Sequence, residues 1–82
     1  MKIVIIRDIK ANSYGNPIFV ASLGGAIRSF GDEVNKTDGN PIAQHPGDFE
    51  LYYAGDYEPE DGSFTLRDKM EQIALASNFS TK

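Results

Sequence analysis

Apolar positions change their period several times along this chain, and each change marks an element. Lys2-Ile3-Val4-Ile5-Ile6-Arg7-Asp8-Ile9 is β-branched and almost continuously apolar, which predicts a strand buried on both faces, or one with a polar fringe beginning at Arg7. Residues 10–17 are rich in turn formers and predict a loop. Ile18-Phe19-Val20-Ala21 predicts a second strand, paired with the first as a long-looped hairpin, and Pro17 suits its start. Ser22 is a candidate helix N-cap. Leu23, Ala26, Ile27, Phe30 and Val34 then fall on one stripe of an amphipathic helix, with Arg28, Asp32, Glu33 and Lys36 on its other faces. Lys36 is expected in the last turn, and Gly39 supplies a stop. Gly24, Gly25 and Gly31 each cost such a helix roughly 1 kcal/mol relative to alanine, so packing must hold it. Two accounts of these glycines stand: close packing on a sheet, or a first turn open to a phosphate.

Residues 37–47 read as loop. Phe49, Leu51 and Tyr53 alternate with Glu50, Tyr52 and Ala54, which predicts a half-buried strand reaching Tyr57. Residues 58–62 form a turn ending in Asp61-Gly62, and Ser63-Phe64-Thr65-Leu66 returns as its partner strand. Phe19, Phe30, Phe49 and Phe64 fall on predicted core faces. From Arg67 the pattern is divided. Met70, Ile73, Ala74 and Ser77 would line a helix, whereas Ile73, Leu75 and Phe79 would suit an extended arm; a short helical or irregular tail is expected. The fold class is α+β, in the order β-β-α-β-β: a four-stranded, mostly antiparallel sheet with one helix on one face. Residues 1–66 form the domain, and residues 67–82 form a tail packed on it or on a second subunit. One helix covers one face of such a sheet, so the other is solvated or buried against a second copy, and a homodimer is expected.

Composition narrows the chemistry. Of 82 residues, 40% are hydrophobic and 24% charged, the balance of a folded domain. The absence of cysteine excludes disulfides and thiolate chemistry, and a single histidine excludes histidine-pair metal motifs. No apolar run approaches the roughly 18 residues of a membrane span or the apolar region of a secretory signal, so a soluble protein is expected. The net charge of −4 is uneven. Lys2, Arg7, Lys10, Arg28 and Lys36 leave residues 1–41 at +1, while residues 42–82 stand at −5. An acidic chain is poorly suited to strong non-specific nucleic-acid binding, though a local basic patch remains open.

No catalytic set emerges. His45 lies in a loop and reads as an exposed turn residue. Asp56, Glu58, Glu60 and Asp61 lack the spacing of a calcium loop and read as a solvated hairpin tip. No enzyme activity, metal or cofactor is expected. The informative residues are tyrosines: Tyr14 in a loop, and Tyr52 out of phase with the Phe49-Leu51-Tyr53 face. Beside Arg7, Lys10 or Arg28 they would stack on and contact single-stranded nucleic acid. Equally, they would cover an open sheet face or build a dimer interface.

From Ile18 onward the order of short motifs carries a resemblance. Ile18-Phe19 and Ser22, Ala26-Ile27-Arg28-Ser29-Phe30 with Val34-Asn35, His45-Pro46-Gly47-Asp48-Phe49 with Leu51-Tyr52, and Gly55-Asp56-Tyr57 with Asp61-Gly62 together resemble the small nonstructural protein of gokushoviruses. These are single-stranded DNA phages of the microvirus family. The resemblance spans roughly residues 15–66 and rests on order and spacing; Gly24, Gly25, Gly31 and Gly47 depart from the pattern. It implies a phage-encoded, non-virion protein of the host cytoplasm that binds DNA and assists the switch to single-stranded genome synthesis and packaging. On that reading Lys2, Arg7, Lys10, Arg28 and Lys36 would contact DNA, with Tyr14 and Tyr52 as stacking platforms. The other reading is an acidic regulator that binds a replication initiator or procapsid through Glu58, Glu60 and Asp61 and never touches DNA.

Overall fold

The computed structural model describes residues 1–81. β1 (Lys2–Asp8) is the centre of an antiparallel sheet because its β-branched side chains fill both faces. On one side it pairs with β4 (Phe49–Glu58), which pairs in turn with β5 (Ser63–Leu75). Its other side is shared by two short strands: β2 (Ser13–Tyr14) meets Arg7 and Asp8, and β3 (Ile18–Val20) meets Lys2 to Val4. The sheet is α+β as expected, with five strands instead of four because the first loop contributes β2.

Helix α1 (Leu23–Val34) starts where the sequence placed it, with Ser22 Oγ accepting from Gly25 N at 3.1 Å. It ends at Val34, so Lys36 lies beyond its last turn. Ala26, Phe30 and Val34 are buried against Val4, Leu51, Ala74 and Ala76, with Ile6, Val20, Leu23 and Ile27 packed around them. Side chains the size of Phe30 and Val34 gain about 1.5–3 kcal/mol each on burial, which offsets the glycines. Close packing on the sheet explains none of the three: Gly31 is closely packed, but against the Phe79 ring of the C-terminal 3₁₀ turn. A Cβ at Gly24 would meet nothing within 4 Å, and one at Gly25 would meet only Ser22 Oγ.

Two segments depart from expectation. Within the expected loop at 37–47, Asn40 caps a one-turn helix α2 (Pro41–Gln44) by accepting from Ala43 N at 3.0 Å, and a 3₁₀ turn follows at Pro46–Asp48. Proline in the first turn and an Asx cap make a helix where turn formers alone suggested none. The tail is not helical either: β5 continues to Leu75, and only Ala76–Phe79 forms a 3₁₀ turn. That turn packs on the covered face, with Phe79 edge-on to Phe30 and Asn35 Nδ2 donating to the Phe79 carbonyl at 2.8 Å.

The β4–β5 ladder is irregular. Tyr53 pairs with Glu71 and Gly55 with Leu66, so residues 67–70 bulge out opposite Ala54. The strands close tightly again at Gly55, where a Cβ would lie 2.4 Å from the Thr65 carbonyl oxygen and 2.9 Å from Leu66 Cα. Only glycine admits that approach. Beyond the bulge the hairpin runs to its tip at 59–62, clear of the helix. The molecule is accordingly 43 × 23 × 18 Å. Its radius of gyration is 13.1 Å, against about 11.7 Å for a compact chain of this length.

Candidate nucleic-acid interface

Strand alternation divides β1 cleanly: Val4 and Ile6 face α1, whereas Ile3, Ile5 and Arg7 face away. The cross-strand partners of those three, together with the outer strands, make a second face that no helix covers. One end of it is polar and aromatic. Arg7 pairs with Tyr14 on β2 and Glu50 on β4, and Ile5 with Tyr52. The Tyr14 and Tyr52 rings meet edge to face with centroids 6.2 Å apart, and the Arg7 guanidinium lies 5.6 Å from the Tyr14 centroid. Tyr14 is half exposed.

Glu50 organises this end. Its Oε1 accepts from Tyr52 Oη at 2.9 Å and lies 3.6 Å from Arg7 Nη1, while Oε2 accepts from Gln72 Nε2. Arg7 Nη2 also donates to Asn12 Oδ1 at 3.2 Å, and Arg7 Nε is buried with no hydrogen-bond partner among the described residues. The carboxylate therefore fixes the arginine and Tyr52, but cancels much of the local positive charge. Lys10 stands in the adjoining turn, exposed and without an ion pair to any described residue.

The other end of the face is apolar. Phe19, paired with Ile3, stacks edge-on to Tyr57 (5.3 Å) and Phe64 (6.2 Å), and Tyr57 and Phe64 lie 4.9 Å apart. Ile3, Ile5, Pro17, Ala54, Leu66 and Met70 complete a shallow groove of about 410 Å³. Phe19, Phe64 and Leu66 are 44%, 58% and 67% exposed. Phe19 and Phe64 are thus not core residues, contrary to their strand phase: the phase is right, but their face has no cover.

Of the seven residues proposed for DNA, Arg7, Tyr14 and Tyr52 come together on this face with Lys10 beside them. The remaining three lie elsewhere. Lys2 is on the opposite face, bound to Asp56 at 2.8 Å and 5.5 Å from the Tyr53 ring. Asp56, which also accepts from Tyr53 Oη at 2.7 Å, is held below the usual carboxylate range by Lys2 first and Tyr53 second, and Lys2 is raised by the same hydrogen bond. Arg28 is exposed on α1, and Lys36 is bound to Glu33 at 2.8 Å. Sequence reasoning missed Glu50 and Gln72, whose role follows from cross-strand pairing alone, and Tyr57, Leu66 and Met70. The period-2 spacing of Phe64 and Leu66 around Thr65 was the available signal, but it names a face without saying whether anything covers it.

Glu58, Glu60 and Asp61 sit exposed at the hairpin tip. Asp61 Oδ1 accepts from Ser63 N and Oγ at 3.0 and 2.7 Å, which lowers its pKa, and Glu58 Oε1 accepts from Glu60 N at 3.2 Å. These bonds shape the turn and leave the tip's charge facing solvent. Among the described residues no three His, Asp or Glu side chains gather to hold a metal, and no helix is long and apolar enough to cross a membrane. A groove of about 540 Å³ between α1 and β3 is lined mostly by aliphatic side chains, with Ser22, Ser29 and Glu33 at intervals. His45 is exposed and lines none of the grooves described here.

The fold and this surface define a small α+β protein with one bare sheet face, polar at one end and apolar at the other. The chain belongs to the family described as Phage ORF5 protein, whose model matches residues 1–79, and it is therefore a phage protein. No curated protein and no solved structure matches it.

Proposed function

We propose that this is a nonstructural DNA-binding accessory protein of a gokushovirus, acting without catalysis in the host cytoplasm during the switch to single-stranded genome synthesis and packaging. The observation that carries the reading is the Tyr14–Tyr52 pair with Arg7 against it on an uncovered sheet face. Bases of a single strand stack on such rings in any sequence, while Arg7 and Lys10 meet the backbone. Because Glu50 offsets Arg7, the electrostatic share of binding is small and the stacking share large. Affinity for single strands should then exceed that for duplex, whose bases are already stacked. Fluorescence anisotropy with single-stranded and duplex oligonucleotides, titrated across salt, tests this. Absence of binding at about 50 mM salt, where electrostatic attraction is strongest, overturns it.

A second reading is favoured by one observation: the hairpin tip projects beyond the core with Glu58, Glu60 and Asp61 exposed. Such a tip suits a basic site on a replication initiator or procapsid. Under it, Glu60→Lys with Asp61→Lys weakens capture of that partner and leaves anisotropy unchanged. An unaltered pull-down rejects it.

A further inference from the structure

We infer that the apolar end of the open sheet face is the interface of a two-fold dimer, its occupant a second copy of this chain. A chain of 9.0 kDa exposes 5270 Å² here, about 400 Å² more than the roughly 4,850 Å² of a compact monomer of that mass. The outer part of β5 contributes to that excess, because residues 63–69 are exposed along their whole length.

Shape and charge select the occupant. Phe64 and Leu66, 58% and 67% exposed, wall a groove that Ile3, Ile5 and Ala54 also line, so one patch offers both exposed side chains to insert and a hollow to receive them. That is the requirement of an isologous contact, in which each copy inserts what the other receives. A polyanion finds no free cation there among the described residues: Arg67, the one cation of these that lines the groove, lies 3.3 Å from Glu71 and 5.0 Å from the Tyr53 ring. The Phe19 and Phe64 rings offer stacking surface, but they are packed on one another and on Tyr57, and the aliphatic Ile3, Ile5, Leu66 and Met70 around them are poor platforms for bases. Edge-to-edge association through β5 is discouraged by the bulge at 67–70 and its charges, Arg67, Asp68 and Lys69. The second copy therefore lies on the face, sheet against sheet. Centred on Phe64 and Leu66, the contact leaves both Arg7–Tyr14–Tyr52 ends open and away from the axis. The inference does not depend on DNA binding.

Sedimentation equilibrium of the chain and of Leu66→Asp and Phe64→Asp tests it, with Arg28→Asp on α1 as control. The expected result is a species of about 18 kDa, twice the chain's 9.0 kDa, for the wild type and the control. The two face variants should sediment at 9.0 kDa with unchanged circular dichroism. A wild-type monomer at about 100 μM overturns the inference, as does a dimer that survives both face variants or an assembly larger than two. If a variant unfolds, a doubly labelled mixture settles the matter: energy transfer between donor- and acceptor-labelled chains must appear on mixing, and its absence is equally fatal. Loss of single-strand binding by Leu66→Asp in a monomeric wild type would assign the patch to DNA and likewise overturn it.

Discussion

The two faces of this sheet use the same kinds of residue to different ends. On the helix side, Val4, Leu51 and Ala74 meet Ala26, Phe30 and Val34 in one buried cluster. On the other side, Ile3 and Ile5 lie in the same strand, yet their neighbours Phe19, Phe64 and Leu66 remain open to water. Apolar character thus does not mark a core; a covering layer does. The open face carries two chemically different ends, whereas the groove beside α1 on the covered side is almost wholly aliphatic.

The difference can be tested by matched truncations. Phe30→Ala, on the covered side, should cost about 3–5 kcal/mol in urea unfolding, through lost burial and a residual cavity. Phe64→Ala, compared at concentrations low enough to keep the chain monomeric, should change stability by less than about 0.5 kcal/mol. Similar losses at the two positions would mean that the two faces are equivalent.

Gly55 lies where the hairpin closes above the bulge, and it tests whether that closure sets the open face. Gly55→Ala forces a methyl group against the Thr65 carbonyl and should cost roughly 1–3 kcal/mol. It should also disturb the Tyr57–Phe64 contact, visible as shifts of those ring resonances. An alanine variant with wild-type stability would refute the close approach.

At the polar end, Tyr14→Ala should weaken single-strand binding by about 1–3 kcal/mol, the value of one base–aromatic stack, without altering thermal stability. Tyr52→Phe separates two roles, because it keeps the ring and removes the bond to Glu50. It should retain more affinity than Tyr14→Ala, and equal losses would show that the Glu50 network, not the rings, governs binding.

The smallest effect concerns pH. Asp56, held below its ordinary value by Lys2 and Tyr53, contributes stability above about pH 4 and loses it as pH falls through its folded value. Lys2, raised by Asp56, contributes below about pH 10 and loses it as pH rises through its folded value. Stability should be flat between those limits. Asp56→Asn should lessen the acid-side decline without abolishing it, because Asp38, lowered by Asn40, and Asp61, lowered by Ser63, share it. An unchanged acid limb would show that the half-exposed Lys2–Asp56 pair is fully screened by solvent.

Local patterning made much of this protein legible. The β-branched run at β1, the Ser22 cap with the Leu23–Val34 stripe, and the alternation at Phe49–Tyr53 each specify an element through nearest-neighbour physics: χ1 stiffness, a capped N–H, a period of two or 3.6. The rest depended on partners distant in sequence. Residues 67–75 hold both helical and extended patterns, and pairing of Glu71, Gln72, Ala74 and Leu75 with β4 decided for strand. The seven binding candidates were chosen by residue type, whereas proximity selected Arg7, Tyr14 and Tyr52 and added Glu50, a carboxylate that residue type would have excluded. Sequence alone determined an acidic, cysteine-free α+β chain with one amphipathic helix, because composition and period are local properties. Tertiary structure alone decided which apolar face stays bare, because one helix covers one side of a sheet and nothing in a strand's alternation says which side that will be.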